Sequence, residues 1–105
     1  MKNNSNIAVG TAINIYYFLY EKDKAREELY VNNILRQFDE PISIQYFYHY
    51  IDFFEKVNLI EKVWINKRKY RIKIKERDFE KSVIFLLSLL NGKMQGMIKY
   101  SDLND

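Results

Sequence analysis

The chain has 105 residues, a formal net charge of +3 and no cysteine. This length permits one domain with a real hydrophobic core, and the missing thiols exclude disulfides, cysteine-bound zinc and thiol catalysis. Because 48% of the residues are apolar, the composition is that of a packed globular protein and not of a disordered tail. We therefore predict a single domain over residues 1–105, in which only the polar ends, residues 1–6 and 101–105, are frayed.

The first predicted helix runs from Ile7 to about Tyr20 and has apolar side chains around most of its circumference. Such a helix lies in the core or beneath a second subunit. The uncharged run is shorter than the roughly 20 residues that span a bilayer, and it lacks the basic start and the cleavage site of a signal peptide. The segment therefore predicts a cytoplasmic protein that makes no membrane contact.

The second predicted helix follows a charged break at residues 21–28. Between Leu29 and Phe38, apolar residues recur on one side of a short helix. Pro41 ends this helix, because proline disfavours helical geometry in the residue before it.

The third predicted helix begins at Ser43, a favourable N-cap residue. It ends at Asn58, which tolerates the left-handed backbone that follows a helix. Helical spacing directs four apolar side chains inward: Phe47, Ile51, Phe54 and Val57. The same spacing leaves four side chains on the opposite face: Gln45, Tyr46, His49 and Asp52. Tyr46 and Phe53 lie at the edge of the apolar side, where an exposed ring can stack on a sugar or anchor a protein partner.

Residues 62–77 contain eight Lys or Arg and one acid, in alternation with apolar residues. Subtracting this +7 from the whole-chain charge of +3 leaves −4 for the remaining residues, so the positive charge is concentrated in one segment. A localised basic surface on a slightly acidic body indicates binding to a polyanion.

The alternation predicts a two-stranded hairpin with its turn at residues 66–69. Its apolar face is predicted to hold Val63, Ile65, Tyr70, Ile72 and Ile74. Its cationic face is predicted to hold Lys62, Trp64, Arg71, Lys73 and Lys75. In this register Trp64 lies opposite Arg71, a geometry that permits a cation-π contact.

The last predicted helix begins after the N-cap Asp78, extends to Asn91 and is apolar nearly all round. A small domain cannot bury every side of two such helices, so residues 78–100 are predicted to form a helical dimerisation region. The predicted homodimer interface consists of Ile13, Tyr17, Phe85, Leu86, Leu89 and Leu90.

The order of these elements, and the residues within them, resemble the winged helix-turn-helix superfamily. LYVNNILRQF is similar to the second helix of that superfamily. IDFFEKVNLIEK is similar to the end of its recognition helix and the start of its wing, with Asn58 in place of the usual Gly. The resemblance covers residues 29–75. The predicted fold class is therefore α+β and mainly helical, a winged helix-turn-helix with a two-stranded β-hairpin wing and an additional C-terminal helix.

The resemblance implies that the third helix enters the major groove of double-stranded DNA while the wing contacts phosphates or the minor groove. Together with the predicted homodimer interface, it indicates a homodimeric transcriptional regulator, and we expect no cofactor. Tyr30 stands where such domains often have a capping Ser or Thr. The predicted DNA-binding residues are Ser43, Gln45, Tyr46, His49, Lys62, Asn66, Lys67, Arg68, Lys69, Arg71 and Lys73.

Other interpretations remain open at this point. The basic hairpin can instead be an edge protected from strand addition by its charges, although eight cations exceed what such protection needs. The aromatic third helix also fits a winged-helix protein-interaction module, and a third possibility is an architectural nucleic-acid-binding protein with little sequence preference. An enzyme is not expected, because a single His, no Cys and no phosphate-binding loop leave no catalytic or metal-binding set.

Overall fold

The computed structural model of the protein describes residues 6–89 and 97–99. The described elements, in chain order, are β1 (Asn6–Ala8), α1 (Val9–Lys24), α2 (Val31–Gln37), α3 (Ile44–Lys56), β2 (Ile60–Asn66), β3 (Lys69–Ile74), α4 (Phe79–Ser88) and β4 (Met97–Lys99). The fold class is α+β and mainly helical, with three helices, an antiparallel hairpin and a C-terminal helix, as the sequence predicts. None of the described helices has both the length and the apolar character needed to cross a membrane.

The two ends of the described chain meet in a small antiparallel sheet that the sequence does not predict. β1 pairs with β4, with Ile7 opposite Ile98. Helix α1 therefore begins at Val9 and not at Ile7. The predictions of a frayed Asn6 and of a helical region that includes residues 97–99 are wrong, because these residues hydrogen-bond to each other as strands. The other residues predicted to fray lie outside the described part of the chain.

Helix α1 continues to Lys24, one turn beyond its predicted end, through a charged segment whose Glu and Lys residues favour helix. One side of it is fully buried against the rest of the domain, including Ala12, Ile15, Tyr16 and Leu19. The other side is open to solvent at Asn14 and Tyr17.

Helix α2 begins at Val31, two residues after the predicted start, because the backbone of Leu29 is used elsewhere. The Leu29 carbonyl accepts a hydrogen bond of 2.8 Å from the Ile72 amide in β3. Tyr30 is the N-cap residue, and its side chain makes no capping hydrogen bond. The hairpin is thereby fastened to the segment that leads into α2.

The predicted ends of α3 and the predicted start of α4 are confirmed. Ser43 Oγ accepts a hydrogen bond of 3.1 Å from the Tyr46 amide, and Asp78 Oδ1 accepts one of 3.1 Å from the Lys81 amide. Asn58 has a positive φ of 67°, the left-handed conformation expected of it.

Aromatic side chains of α3 form the centre of the core. Phe47, Tyr50, Phe53 and Phe54 are completely buried, so the expectation of Phe53 at the edge of the apolar side is wrong. The reason is that α3 is covered on two sides, which widens its buried surface beyond the stripe that helical spacing predicts.

The hairpin has the predicted turn but a different register below it. Asn66 pairs with Lys69, as predicted, and an irregularity between Trp64 and Asn66 then places Ile65 as one extra residue in β2. Trp64 consequently pairs with Tyr70, and the ring centroids of these two residues lie 4.9 Å apart in an edge-on contact. The predicted contact between Trp64 and Arg71 is wrong.

This bulge exchanges the faces of β2, because a one-residue slip moves every side chain of a strand to the other side. Lys62 pairs with Ile72, so Lys62 and Trp64 share the core-facing side of the hairpin, contrary to the prediction. Val63 pairs with Arg71 on the outer side, and Ile65 is exposed. Neither side chain lies on the core-facing side of the hairpin, where the sequence pattern predicts both.

Part of the apolar surface of α4 is buried within the chain. Leu86 is fully buried in the domain, and Phe85 and Leu89 are half-buried against the core. The large apolar side chains that α4 leaves open are Ile84, 66% exposed, and Leu87. Leu90 and the predicted helix end at Asn91 lie outside the described residues. The homodimer stays a prediction.

Candidate nucleic-acid interface

A groove of about 300 Å³ separates the hairpin tip from helices α2 and α3. It contains three cationic side chains, and none of the described residues that line it is Asp or Glu. The lining residues are Tyr30, Val31, Asn32, Asn33, Arg36, Tyr48, Arg68, Lys69 and Tyr70. Such a set of amide, phenol and cationic donors suits an anion with several oxygens, such as a phosphodiester.

Two contacts and one side chain of α3 form this groove. The hydrogen bond between Ile72 and Leu29 draws the start of α2 toward the hairpin. At the groove wall, Lys69 Nζ lies 4.6 Å from the centre of the Tyr30 ring, a cation-π contact that joins β3 to the N-cap of α2. Tyr48 enters from α3, 37% exposed. The groove is therefore built from parts that are far apart in the sequence.

Of the residues that line this groove, the predicted DNA-binding set contains Arg68 and Lys69. The polar side chains that it does not contain include Asn32, Asn33, Arg36 and Tyr48. Tyr48 lies four residues before Asp52, one helical turn away, and so shares the solvent-facing side that was correctly assigned to Asp52. That spacing is the signal that identifies it.

Asn66 stabilises the turn at the hairpin tip. Its Oδ1 accepts a hydrogen bond of 2.8 Å from the Arg68 amide, which shapes the turn from within. Lys67, Arg68 and Lys69 are exposed at this turn. None of them takes part in an ion pair within residues 6–89 and 97–99, so their charge is available to a partner.

Lys62 has a different role from the one predicted for a cationic face. Its Nζ lies 2.6 Å from Asp52 Oδ1 and 3.4 Å from Glu55 Oε1, and its side chain is only 13% exposed. The ammonium also lies 5.0 Å from the centre of the Tyr70 ring. Burial by itself lowers the pKa of Lys62, but the two carboxylates outweigh it and raise the pKa above its ordinary value.

This cluster has two consequences for the surface. It ties β2 to α3, and it offsets part of the negative charge that Asp52 and Glu55 place on the exposed side of α3. Both acids are thus paired with a cation of the hairpin.

The predicted base-contacting residues lie in the first two turns of α3. Gln45 and Tyr46 are exposed, as is the cap residue Ser43, whereas His49 is half-buried. The imidazole of His49 stacks on Tyr46, with ring centres 6.1 Å apart, and meets Tyr50 edge-on. Whether these side chains contact bases stays a prediction.

Arg71 and Lys73 lie on the other side of the hairpin and not with the groove. They pair with Val63 and Glu61 on the outer face. There they border a second depression of about 530 Å³, which is also lined by the acidic residues Asp23, Glu27 and Glu28. The predicted cationic set is therefore divided between an acid-free groove and a mixed outer surface.

Within the described residues, no three or more His, Asp or Glu side chains are grouped so that they can hold a metal ion. Comparison with known proteins finds no matching family model, no matching curated protein and no matching solved structure.

Proposed function

We propose that the protein is a homodimeric winged helix-turn-helix regulator of transcription that binds double-stranded DNA with the groove between α2, α3 and the hairpin tip. The observation that carries this proposal is the groove itself, which collects Arg36, Arg68 and Lys69 without any acid. Phosphate contacts supply most of the affinity of DNA-binding proteins.

The topology supports the same proposal. Three helices followed by an antiparallel hairpin are compatible with a winged helix. Because Leu29 bridges to Ile72, and Lys62 bridges to Asp52, the hairpin is fastened to both α2 and α3. A duplex that receives α3 in its major groove would meet the hairpin tip beside it.

Dimer formation is proposed through α1 and α4, whose side chains Tyr17, Ile84 and Leu87 are exposed in the single chain. A two-fold dimer would place both copies of α3 on one side of the duplex. The expected site is an inverted repeat whose half-sites lie about 10 base pairs, or a multiple of this, apart. Sedimentation at low concentration tests the dimer: a stable monomer would remove both the interface and the palindrome.

The experiment that tests DNA binding compares two triple variants with the same loss of charge. In one, Lys67, Arg68 and Lys69 are changed to Gln; in the matched control, Lys24, Arg26 and Lys81 are changed to Gln. Affinity for mixed-sequence duplexes is measured by fluorescence anisotropy over a range of salt concentrations. We expect the tip variant to bind all duplexes more weakly and to lose a salt slope of about 0.9 for each lost phosphate contact.

The control variant is expected to change the salt slope little, since its side chains lie away from the groove. Equal effects of both variants would mean that only net charge matters. An unchanged affinity of the tip variant would leave the tip charges as protection of a sheet edge. Absence of duplex binding by the unmodified protein, even at low salt, would refute the proposal.

A second candidate function is docking on another protein. It is favoured by the exposed Ile44, Tyr46 and Tyr48 of α3, because aromatic side chains are typical anchors of protein interfaces. Gln45→Ala and His49→Ala separate the two functions. For a base-reading helix they reduce discrimination between a selected site and random DNA by about 1–3 kcal/mol, more than they reduce affinity for random DNA. Unchanged discrimination would favour the protein partner.

A further inference from the structure

We infer that the groove between α2, α3 and the hairpin tip also binds a single unpaired nucleotide, with its phosphate at the tip cations and its base against Tyr48. The inference rests on the proposed function for the phosphate contacts and adds a site for the base. A nucleotide in this position uses cations that a duplex also needs, so the nucleotide and the duplex compete for the protein.

The first observation is that three tyrosine rings line the groove together with the cations: Tyr30, Tyr48 and Tyr70. Two of these rings are engaged within the domain. Lys69 Nζ lies over the Tyr30 ring, and the Tyr70 ring, only 9% exposed, is in contact with Trp64. Tyr48 is 37% exposed and is the most open of the three. Open aromatic rings beside cations are the surfaces on which proteins stack unpaired bases.

The second observation is the position of the charges along the groove. Arg68 and Lys69 lie on the hairpin tip, and neither is in an ion pair within residues 6–89 and 97–99. Arg36 lies on α2 and also borders a depression that contains Glu27 and Glu28. Because these two acids repel an anion near Arg36, the phosphate is assigned to the tip, where charge-assisted hydrogen bonds to its oxygens can form.

The third observation is that two amide side chains line the groove on the α2 side. Asn32 and Asn33 are both exposed in the first turn of this helix. An amide offers a donor and an acceptor together, which is the combination that hydrogen-bonds to the edge of a base. Asn33 Oδ1 lies 3.4 Å from Arg36 Nη2, and this contact leaves the amino group of Asn33 for a ligand. The amides and the Tyr48 ring thus supply hydrogen bonds and a stacking surface for one base.

The fourth observation is an unsatisfied polar group in a residue of the groove lining. The Tyr70 hydroxyl is buried and has no hydrogen-bond partner among the described residues. Such groups are rare in folded proteins, because a buried polar atom without a partner lowers stability. Its presence in a residue that lines a cationic groove points to a site that a ligand, or a water held by the ligand, completes.

The size of the groove limits the ligand to one nucleotide. Its volume of about 300 Å³ is at the lower end of the range for small-molecule pockets. Bases within a duplex are paired and stacked on their neighbours, so they are not free to stack on Tyr48. An unpaired nucleotide can use the cations, the amides and the ring together. Its source is a free mononucleotide or a single-stranded segment, and the chemistry of the site is the same for both.

Calorimetric titration of the unmodified protein tests the site and identifies the source. One pair of probes is a nucleoside 5′-monophosphate, each of the four bases in turn, against ribose 5-phosphate. The other pair is a short single-stranded oligonucleotide against an oligonucleotide of the same length without bases. All titrations are made at one ionic strength. We expect the preferred mononucleotide to bind about tenfold more tightly than ribose 5-phosphate, because stacking of the base adds to phosphate binding.

The two pairs of probes distinguish the possible outcomes. A preference for bases among the oligonucleotides alone would assign the site to a single strand, and a preference among the mononucleotides would assign it to a free nucleotide. If removal of the base costs no affinity in either pair, or if no probe binds, the inference is wrong.

Variants locate the ligand in the groove. Tyr48→Ala removes the stacking ring and should reduce the affinity for the preferred ligand about tenfold, to that of its counterpart without a base, whereas Tyr48→Phe should retain it. The matched control is Tyr20→Ala, which removes a tyrosine of α1 outside the groove lining and should leave this affinity unchanged. Circular dichroism checks that each variant is folded. An unaltered affinity in Tyr48→Ala, or equal losses in both alanine variants, would overturn the inference.

A milder variant tests the site without a change near the core. Asn32→Ala alters an exposed side chain of α2 and should weaken binding of the preferred ligand several-fold, without effect on the counterpart that lacks a base. Equal effects on both ligands would contradict the placement of the base beside the amides.

Competition connects this site with DNA binding. Fluorescence anisotropy follows a labelled duplex while the preferred ligand is added at constant ionic strength. We expect displacement of the duplex with the dissociation constant that calorimetry gives for that ligand. A complex that holds both ligands at once would overturn the shared site. Duplex binding without any base-dependent ligand would overturn this inference alone, whereas ligand binding without duplex binding would refute the proposed function and support the nucleotide site.

Discussion

The base and the tip of the β2–β3 hairpin both contain isoleucines and lysines, but these residues lie in opposite environments at the two places. At the base, Ile60, Ile72 and Ile74 are buried, and Lys62 is enclosed by two carboxylates. At the tip, Ile65 is exposed and Lys67 and Arg68 have no ion pair among the described residues. Residue type therefore does not separate buried from exposed positions in this hairpin; distance from the core does.

The base of the hairpin is also hydrogen-bonded to helix α1. The Tyr16 hydroxyl lies 3.2 Å from the carbonyl oxygen of Leu59, just before β2, and 3.0 Å from that of Glu76, just after β3. Its proton donates to these two acceptors and links both ends of the hairpin to α1. Among the described residues, the tip is joined to another part of the domain by the contact of Lys69 with Tyr30.

The largest expected effect comes from comparing one residue type at the two places. Ile72→Ala should lower the free energy of unfolding by about 2–5 kcal/mol, because it leaves a cavity in a filled core beside Leu29. Ile65→Ala should lower it by less than about 1 kcal/mol, because the side chain is already half in water. Urea denaturation measures both. Similar losses at the two positions would contradict the division between base and tip.

High pH should weaken the hydrogen bonds of the Tyr16 hydroxyl at the base of the hairpin. Burial raises the pKa of Tyr16 from 10.0 to about 12, so the unfolded chain ionises this phenol first. The stability that the neutral Tyr16 hydroxyl contributes is fully present below pH 10 and is lost as the pH rises toward 12. This loss corresponds to about 2–3 kcal/mol of unfolding free energy. Urea titrations at pH 8 to 12 should show a shallower decline for Tyr16→Phe. An equal decline would indicate that other groups control alkaline unfolding.

The ion-pair cluster should contribute less than the apolar base. Lys62→Met keeps the aliphatic stem and removes the charge, and we expect a loss of about 1–2 kcal/mol, since Asp52 and Glu55 remain half in water. The matched control Lys73→Met removes an exposed charge from the outer side of β3 and should change stability by about 0.5 kcal/mol or less. A double-mutant cycle with Asp52→Asn isolates the pair; zero coupling energy would show that it does not fasten the hairpin to α3.

The smallest expected effect is a gain in stability. The Tyr70 hydroxyl is buried and has no hydrogen-bond partner among the described residues, and burial, together with the charge of Asp52, raises its pKa. Tyr70→Phe removes an unsatisfied polar group and keeps the ring that supports Trp64. We expect an increase in unfolding free energy of about 0.5–1 kcal/mol. A less stable variant would reveal a partner for this hydroxyl, such as a bound water.

The local features of the fold were predictable because each depends on few neighbouring residues. Ser43 and Asp78 cap their helices through hydrogen bonds to amides three residues away, and Asn58 adopts its positive φ next to the helix that it ends. The turn at residues 66–69 is equally local. These features require no information about the rest of the chain.

The site was only partly predictable. The concentration of positive charge in the hairpin is visible in the sequence, and so is the exposed position of Gln45. The division of the cations was not, since the bulge at Ile65 reassigns Lys62 and Trp64 to the other side of β2. Nothing in the alternation of residues indicates one unpaired residue, because the register of a hairpin is decided by what packs beneath it.

The sequence by itself determined the order of helices and hairpin, the helix caps, and a basic hairpin on an acidic body. Tertiary structure decided which of those basic residues are free. Lys62 is neutralised because α3 places two acids beside it, and Lys69 and Arg68 meet Arg36 and Tyr48 because Leu29 bonds to Ile72 across 43 positions of the chain. Such contacts depend on the packing of distant segments around one core, and that packing is a property of the whole chain and not of any window of it.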